Sequence, residues 1–160
     1  MEINKDQKKR VERKGLVLSE EGKLGRKPPQ ALPLEEAVLG AMLLEKDAPV
    51  RVLDVLIQEV FYHDSHQIIF AAIKRLFDVG EPVDLLTVTE DLRKAGQLEA
   101  AGGAYYITQL TNKVASSANL EFHAKILLQK YIQRELIRIS GQIGRDAFED
   151  TTDAFGLLDD

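Results

Sequence analysis

Ile68-Ile69-Phe70-Ala71-Ala72-Ile73-Lys74-Arg75-Leu76-Phe77 decides the fold class of this chain. Within it Ile68, Ile69, Ala72, Ile73, Leu76 and Phe77 recur at i, i+1, i+4, i+5, i+8 and i+9, the stripe that a 3.6-residue period lays along one side of a helix. Gly80 follows where a left-handed stop is expected. A helix with so broad an apolar side belongs at the centre of a core. Upstream, Pro33 suits a first helical position, where its missing N–H costs nothing, and Glu35 and Glu36 sit near the positive end of the helix dipole. That helix should run to about Glu45. A second helix, from about Ala48 to Glu59, offers Val52, Leu53, Leu56 and Val60 as its buried side.

Downstream, Asp84 is expected to cap a fourth helix that ends at Gly96 and turns Leu85, Val88 and Leu92 inward. Gly102-Gly103 opens a short fifth helix with Tyr106, Ile107 and Leu110 as buried candidates. Ser116-Ser117 then breaks the chain before Asn119 caps the last helix. No stretch sustains the two-residue alternation of a half-buried strand. The expectation is an all-α protein: a compact bundle of about five short helices, followed by a long projecting helix that forms one arm of a helical hairpin. The domain boundaries expected are a leader over 1–27, a globular helical domain over 28–117, and the long helix with the start of its hairpin partner over 118–160.

From Leu120 to about Phe148 the chain can form a helix of roughly 30 residues, about 45 Å at 1.5 Å per residue, longer than a small domain is wide. Its apolar residues make two ladders of the same spacing. Leu120, Ala124, Leu127 and Tyr131 form the first; Ile132, Leu136, Ile139 and Ile143 form the second, offset by one residue or about 100° around the axis. The first ladder should pack on the globular body and leave the second for something else. Opposite the second ladder lie Lys130, Arg134, Arg138 and Arg145, with Glu135 and Asp146 read as lying away from this basic stripe. Gly141 and Gly144 each cost about 1 kcal/mol relative to alanine inside a helix and mark either close packing or a weak point. After Phe148, Glu149-Asp150-Thr151-Thr152-Asp153 reads as a turn with a new N-cap ahead of Ala154, Phe155, Leu157 and Leu158.

The 160 residues are 44% hydrophobic and 29% charged, ordinary for a globular protein. No apolar run approaches the roughly 18 residues needed to span a bilayer, and Met1 to Lys14 has no apolar centre for a secretory signal, so a cytoplasmic setting without membrane contact is expected. There is no cysteine, which removes disulfides, thiolate nucleophiles and cysteine zinc sites together. The net charge of −5 is unevenly spread: residues 1–27 carry nine Lys or Arg against five acids, a balance of +4, leaving −9 for the rest. An acidic body is a poor general grip for a phosphate backbone. No apolar periodicity organises residues 1–27, so a disordered, basic leader is expected there.

Sites of chemistry are sparse. A P-loop needs glycine, four residues, glycine, lysine and a hydroxyl side chain, and that pattern is absent; Gly22-Lys23 and Gly25-Arg26-Lys27 imitate it without a preceding strand. His63 and His66 with Glu59 and Asp64 are too few for a zinc site, and His66 reads as a structural contact at the start of the third helix. Gly102-Gly103 is a turn before it is an anion site. Ser116 and Ser117 have no recognisable base at a known spacing. No catalytic, cofactor or metal residue is assigned.

Four separated segments resemble, in order and spacing, the amino-terminal domain of bacterial replicative DNA helicases of the DnaB type. They are Pro28-Pro29-Gln30 with Leu34-Glu35-Glu36-Ala37-Val38-Leu39-Gly40-Ala41-Met42-Leu43-Leu44; Phe61-Tyr62 with His66 and Ile69-Phe70; Pro82-Val83-Asp84-Leu85-Leu86-Thr87-Val88; and Gly102-Gly103-Ala104-Tyr105-Tyr106 leading to Ser116-Ser117-Ala118-Asn119. The resemblance implies a noncatalytic assembly domain that pairs subunits within a hexamer's collar and receives the helicase-binding domain of primase during DNA replication, with a helicase loader as a further partner. ATP, magnesium and most DNA contact belong, on that resemblance, to a motor region outside this segment. Tyr131, Ile132, Arg134, Leu136, Arg138, Ile139 and Ile143 are then the candidate interface. A free-standing helical adaptor related to the helicase-binding domain of primase stays open as the alternative reading. A sequence-specific DNA-binding domain is disfavoured by the acidic body and the lack of a basic recognition helix.

Overall fold

A computed structural model describes residues 26–114, 116–149 and 153–159, and the expected leader therefore lies almost wholly outside the described residues. Among those described, every regular element is helical. The order is α1 (Leu32–Leu44), α2 (Ala48–Val52), a 3-10 turn (Gln58–Val60), α3 (Asp64–Asp78), α4 (Leu85–Lys94), α5 (Gly103–Thr111), α6 (Leu120–Phe148) and α7 (Ala154–Asp159).

Local chemistry sets most of the helix ends. At the end of α3 the Gly80 N–H donates to Phe77 O at 3.0 Å and the Glu81 N–H to Leu76 O at 2.9 Å, with Gly80 at φ 75°, so two orphan carbonyls are satisfied by a left-handed exit. At α4, Asp84 Oδ1 accepts from the Leu86 and Thr87 amides, both at 2.9 Å, and Thr87 Oγ1 accepts from the Asp84 amide at 2.9 Å, a reciprocal capping box. Asn119 does occupy the N-cap position of α6, but its side chain makes no capping bond; its carbonyl simply accepts from the His123 amide.

The second helix is shorter than its sequence suggests. It stops at Val52, and the chain crosses a turn before the 3-10 segment at Gln58–Val60. Val50, Val52, Val55 and Ile57 are β-branched and lower the helical preference of this stretch. Leaving the helix also lets Leu56, Val60 and Phe61 all reach the core, where each is at most 1% exposed.

The core is built around α1 and α3. Val38, Leu39 and Met42 of α1 and Ile69, Phe70 and Ile73 of α3 are fully buried with Val88, Leu92, Ile107 and Leu110. Phe61 and Phe70 pack with ring centroids 4.9 Å apart and planes tilted by 36°. Gly40 is where α1 meets α5 most closely: a Cβ there would collide with the Leu110 carbonyl and the Val114 side chain. Among α6 residues, Leu120, Ala124 and Leu127 are buried to within 1%, so the first expected ladder does seat the root of the long helix on the body.

A polar group sits inside this apolar core. Glu35, 1% exposed, accepts from the Tyr62 amide on Oε1 at 2.6 Å, while its Oε2 lies 2.6 Å from His66 Nδ1 and 3.4 Å from the His63 amide. His66 Nε2 lies 2.6 Å from the Tyr106 hydroxyl. Because the carboxylate oxygens accept, Nδ1 donates, and Nε2 is left to pair with a hydroxyl that can give or take a hydrogen bond. Burial pushes the Tyr106 hydroxyl above its ordinary range, which keeps its proton available to His66. The expected role of Glu35 as a dipole partner is thus superseded by a larger one: its carboxylate ties α1 to the Tyr62–His63 segment and α3, and through His66 the tie reaches α5.

Two measurements test this description. Glu35→Ala leaves the Tyr62 amide and His66 Nδ1 without partners inside the core, and is expected to lower unfolding free energy by about 3 kcal/mol in chemical denaturation, against less than half of that for Glu35→Gln. At the root of α6, Arg51 Nε and Nη2 donate to the two Glu121 carboxylate oxygens at 2.6 and 2.7 Å, and Arg51 holds the Glu121 carboxyl at about 2, against an ordinary 4.5. Stability from this pair is fully present above the unfolded value and is lost as pH falls from about 4.5 through about 2. In Arg51→Ala that portion of the acid loss should disappear, and carboxyl-detected NMR should show Glu121 titrating in the ordinary range.

Candidate interface on the arm

The long helix α6 leaves the body beyond its root, and one side chain governs how. Arg134 Nη1 donates to Pro29 O at 2.8 Å, and Nη2 donates to Val60 O at 2.7 Å and Glu59 O at 3.3 Å. Its guanidinium carbon lies 5.5 Å from the Tyr62 ring centre and 5.8 Å from that of Tyr131. A planar fork satisfies carbonyls at the end of the 3-10 turn while its faces meet aromatic rings, a task for which lysine is no substitute. Sequence reading placed Arg134 in an outward basic stripe; the structure turns it onto the body. Tyr131, expected to bind a partner, is partly buried against the core and supports the same clasp.

Two more arginines of that stripe, Arg138 and Arg145, are also engaged, along the helix itself. Arg138 Nε and Nη2 donate to Glu135 Oε2 at 3.0 and 2.9 Å, and Arg145 Nη2 donates to Gln142 Oε1 at 2.9 Å. Glu135 therefore stands beside Arg138, correcting the reading that set it apart. Residues three apart on a helix are neighbours, so an acid at that spacing reaches the base it precedes.

The second ladder is in the open. Ile132 is 47% exposed, Leu136 60%, Ile139 43% and Ile143 45%, and Ile137 is 58% exposed. Scattered exposed apolar residues are normal on a protein surface, but four on one helical face form a continuous strip of the kind that marks an interaction surface. Ile137 lies about 130° around the helix from the ladder's midline and is a separate exposed residue, outside the strip. At the far end Phe148 is 92% exposed, and in α7 Phe155 and Leu158 are 81% and 84% exposed.

No comparable arrangement for chemistry is present among the described residues. His63 Nδ1 lies 2.8 Å from Ser65 Oγ and its ring is 5.1 Å from that of His66, whose nitrogens are taken by Glu35 and Tyr106. No group of three or more His, Asp or Glu side chains placed to hold a metal ion occurs among the described residues, nor a helix long and apolar enough to cross a membrane. Gly102, at φ 100°, packs beneath the Tyr106 ring with no room for a Cβ, so the glycine pair is accounted for by the turn that delivers Tyr106 to His66.

Comparison with known proteins agrees with this architecture. The chain is 52% identical over 136 residues to the replicative DNA helicase DnaB of Rhodothermus marinus, covering 85% of this chain and 14% of that protein. It is 43% identical over 133 residues to the DnaB of Geobacillus stearothermophilus, covering 83% of this chain and 29% of the relative. The chain thus spans less than a third of the length of these relatives. Among solved structures, the N-terminal domain of DnaB helicase from Mycobacterium tuberculosis superposes with a TM-score of 0.77 at 35% identity, over 83% of this chain and 93% of that one. A DnaB-like replicative helicase, described together with its interactions with primase, superposes with a TM-score of 0.65 at 28% identity, over 72% of this chain and 27% of that one. The sequence model of the family described as DnaB-like helicase N terminal domain matches residues 27–129, from the entry to α1 into the root of the arm, and the chain belongs to that family.

Proposed function

We propose that this chain is the noncatalytic amino-terminal assembly domain of a hexameric replicative DNA helicase, pairing subunits within the collar and receiving the helicase-binding domain of primase during DNA replication. The observation that carries the pairing is the exposed face of Ile132, Leu136, Ile139 and Ile143 on an arm whose opposite side is already spent on the body. Burial of such a strip against a second copy is the usual remedy for apolar surface left in water. The likeness to a helicase described with its interactions with primase supports the second role, and Arg138, exposed on the side of the arm away from the pairing strip, offers a basic contact for it. A helicase loader is a further partner on this reading. ATP, magnesium and most DNA contact belong to other regions of a parent helicase working in the cytoplasm. The division of labour is then leader, helical body over 28–117 and assembly arm over 118–160.

Sedimentation of the chain across a wide concentration range tests the pairing. The wild type should self-associate, and Ile139→Glu should weaken association by at least about 100-fold, because a carboxylate would have to be buried in the contact. At concentrations where both proteins are monomeric, its thermal unfolding should match the wild type, since Ile139 makes no core contact. A strictly monomeric wild type at high concentration contradicts the proposal. Primase docking is read separately by titrating the helicase-binding domain of primase into the wild type and into Arg138→Glu, with binding expected for the first and lost in the second.

A further inference from the structure

Gly141 and Gly144 stand near the far end of α6, inside a regular helix and exposed. Glycine in a helix is usually explained by a neighbour that needs the space. Here there is none among the described residues: a Cβ on Gly144 would meet nothing within 4 Å, and one on Gly141 would meet only the flexible end of the Arg145 side chain at 3.5 Å. Gly40 shows the contrast, since its Cβ would strike backbone of α5. The hydrogen bonds of this part of the arm are local too. Glu135 with Arg138, Gln142 with Asp146, and Arg145 with Gln142 are all pairs three or four residues apart on one helix. The last hydrogen bonds from α6 to the body are those of Arg134.

Beyond Arg134, α6 packs among the described residues only lightly, against the short α7 that follows it, so its distal end is governed largely by intrinsic preference, which over a short stretch is marginal in water. Two glycines four positions or fewer apart lower it further. We infer that Gly141 and Gly144 form a built-in loose segment, so that the distal arm frays in the free chain and becomes a continuous helix only when its Ile139–Ile143 face is covered by a second copy. The inference rests on the pairing reading above and gives it a regulatory character. Ordering the segment opposes association and keeps the pairing reversible, while the rigid root, fixed by Arg134 and the buried first ladder, still presents Ile132 and Leu136.

The sign of one substitution decides. If the glycines act through the cost of ordering, alanine removes that cost in both chains of a pair, and Gly144→Ala should tighten dimerisation by up to about 25-fold, about five-fold per chain. Gly141→Ala should act in the same direction, and amide exchange over 141–148 in the dilute monomer should slow in both variants. Weaker association in the alanine variants would overturn the inference, because the glycines would then be points of close approach for the partner's backbone. Unchanged association with unchanged exchange would overturn it as well, showing an arm already ordered. A wild type and variants that all remain monomeric would instead sink the pairing reading, and the coupling with it; the exchange rates would still report whether the segment is loose.

Discussion

The carboxylate of Glu35 is the constraint on which the rest of the molecule depends. A buried acid among apolar side chains is costly unless its oxygens are met, and here they are met by two amides and an imidazole from segments 27 to 31 residues away. By capturing the Tyr62 amide it fixes the chain where it leaves the 3-10 turn. The same Tyr62 presents its ring to Arg134, which gathers the carbonyls of Pro29, Glu59 and Val60. The direction in which the arm departs is therefore set by a polar relay from α1 through Tyr62 to α6, over and above the apolar ladder that seats the root.

This arrangement divides α6 into parts with different energetics. At the root, buried Leu120, Ala124 and Leu127, the Arg51–Glu121 fork and the Arg134 clasp make the helix an extension of the core. Beyond Arg134 the helix carries apolar side chains into water and leans on short-range pairs and the short α7 that follows it. A rigid base with a weakly held end is well suited to an element that must be aimed before it meets a partner. The acidic body fits the same role, because it gives nucleic acid little purchase and leaves protein contacts as the main business of the surface.

What could be read from the residues was whatever their near neighbours decide. The stripe from Ile68 to Leu76, the Gly80 stop, the Asp84 cap and the two ladders of α6 depend on spacings of one to eleven positions, and they stand in the structure where expected; at the end of the stripe Phe77 is exposed instead, and Phe70, outside it, is buried. Relations across the chain were hidden. Glu35 looked like an ordinary acid in a first turn because nothing nearby reveals that His66 and Tyr62 return to it. Arg134 looked like one member of a basic stripe because its acceptors are backbone carbonyls, the farthest of them 105 residues away, which have no signature in sequence. The second helix was overextended because apolar spacing alone does not tell a helix from a turn that also delivers Leu56 and Val60 inward. Glu135 was placed apart from Arg138 although three-residue spacing makes them neighbours, an error of helical geometry.

The absence of cysteine permits the most direct measurement on the arm. Single cysteines placed in turn at Ile132, Leu136, Ile139 and Ile143, with Gln133→Cys as a control about 90° around the helix from the ladder's midline, can be oxidised in otherwise native chains. Pairing through the exposed ladder predicts rapid disulfide-linked dimers from at least one ladder position, near the symmetry axis of the pair, and little from Gln133→Cys. No cross-linking along the ladder, or faster cross-linking at Gln133→Cys, would contradict the account.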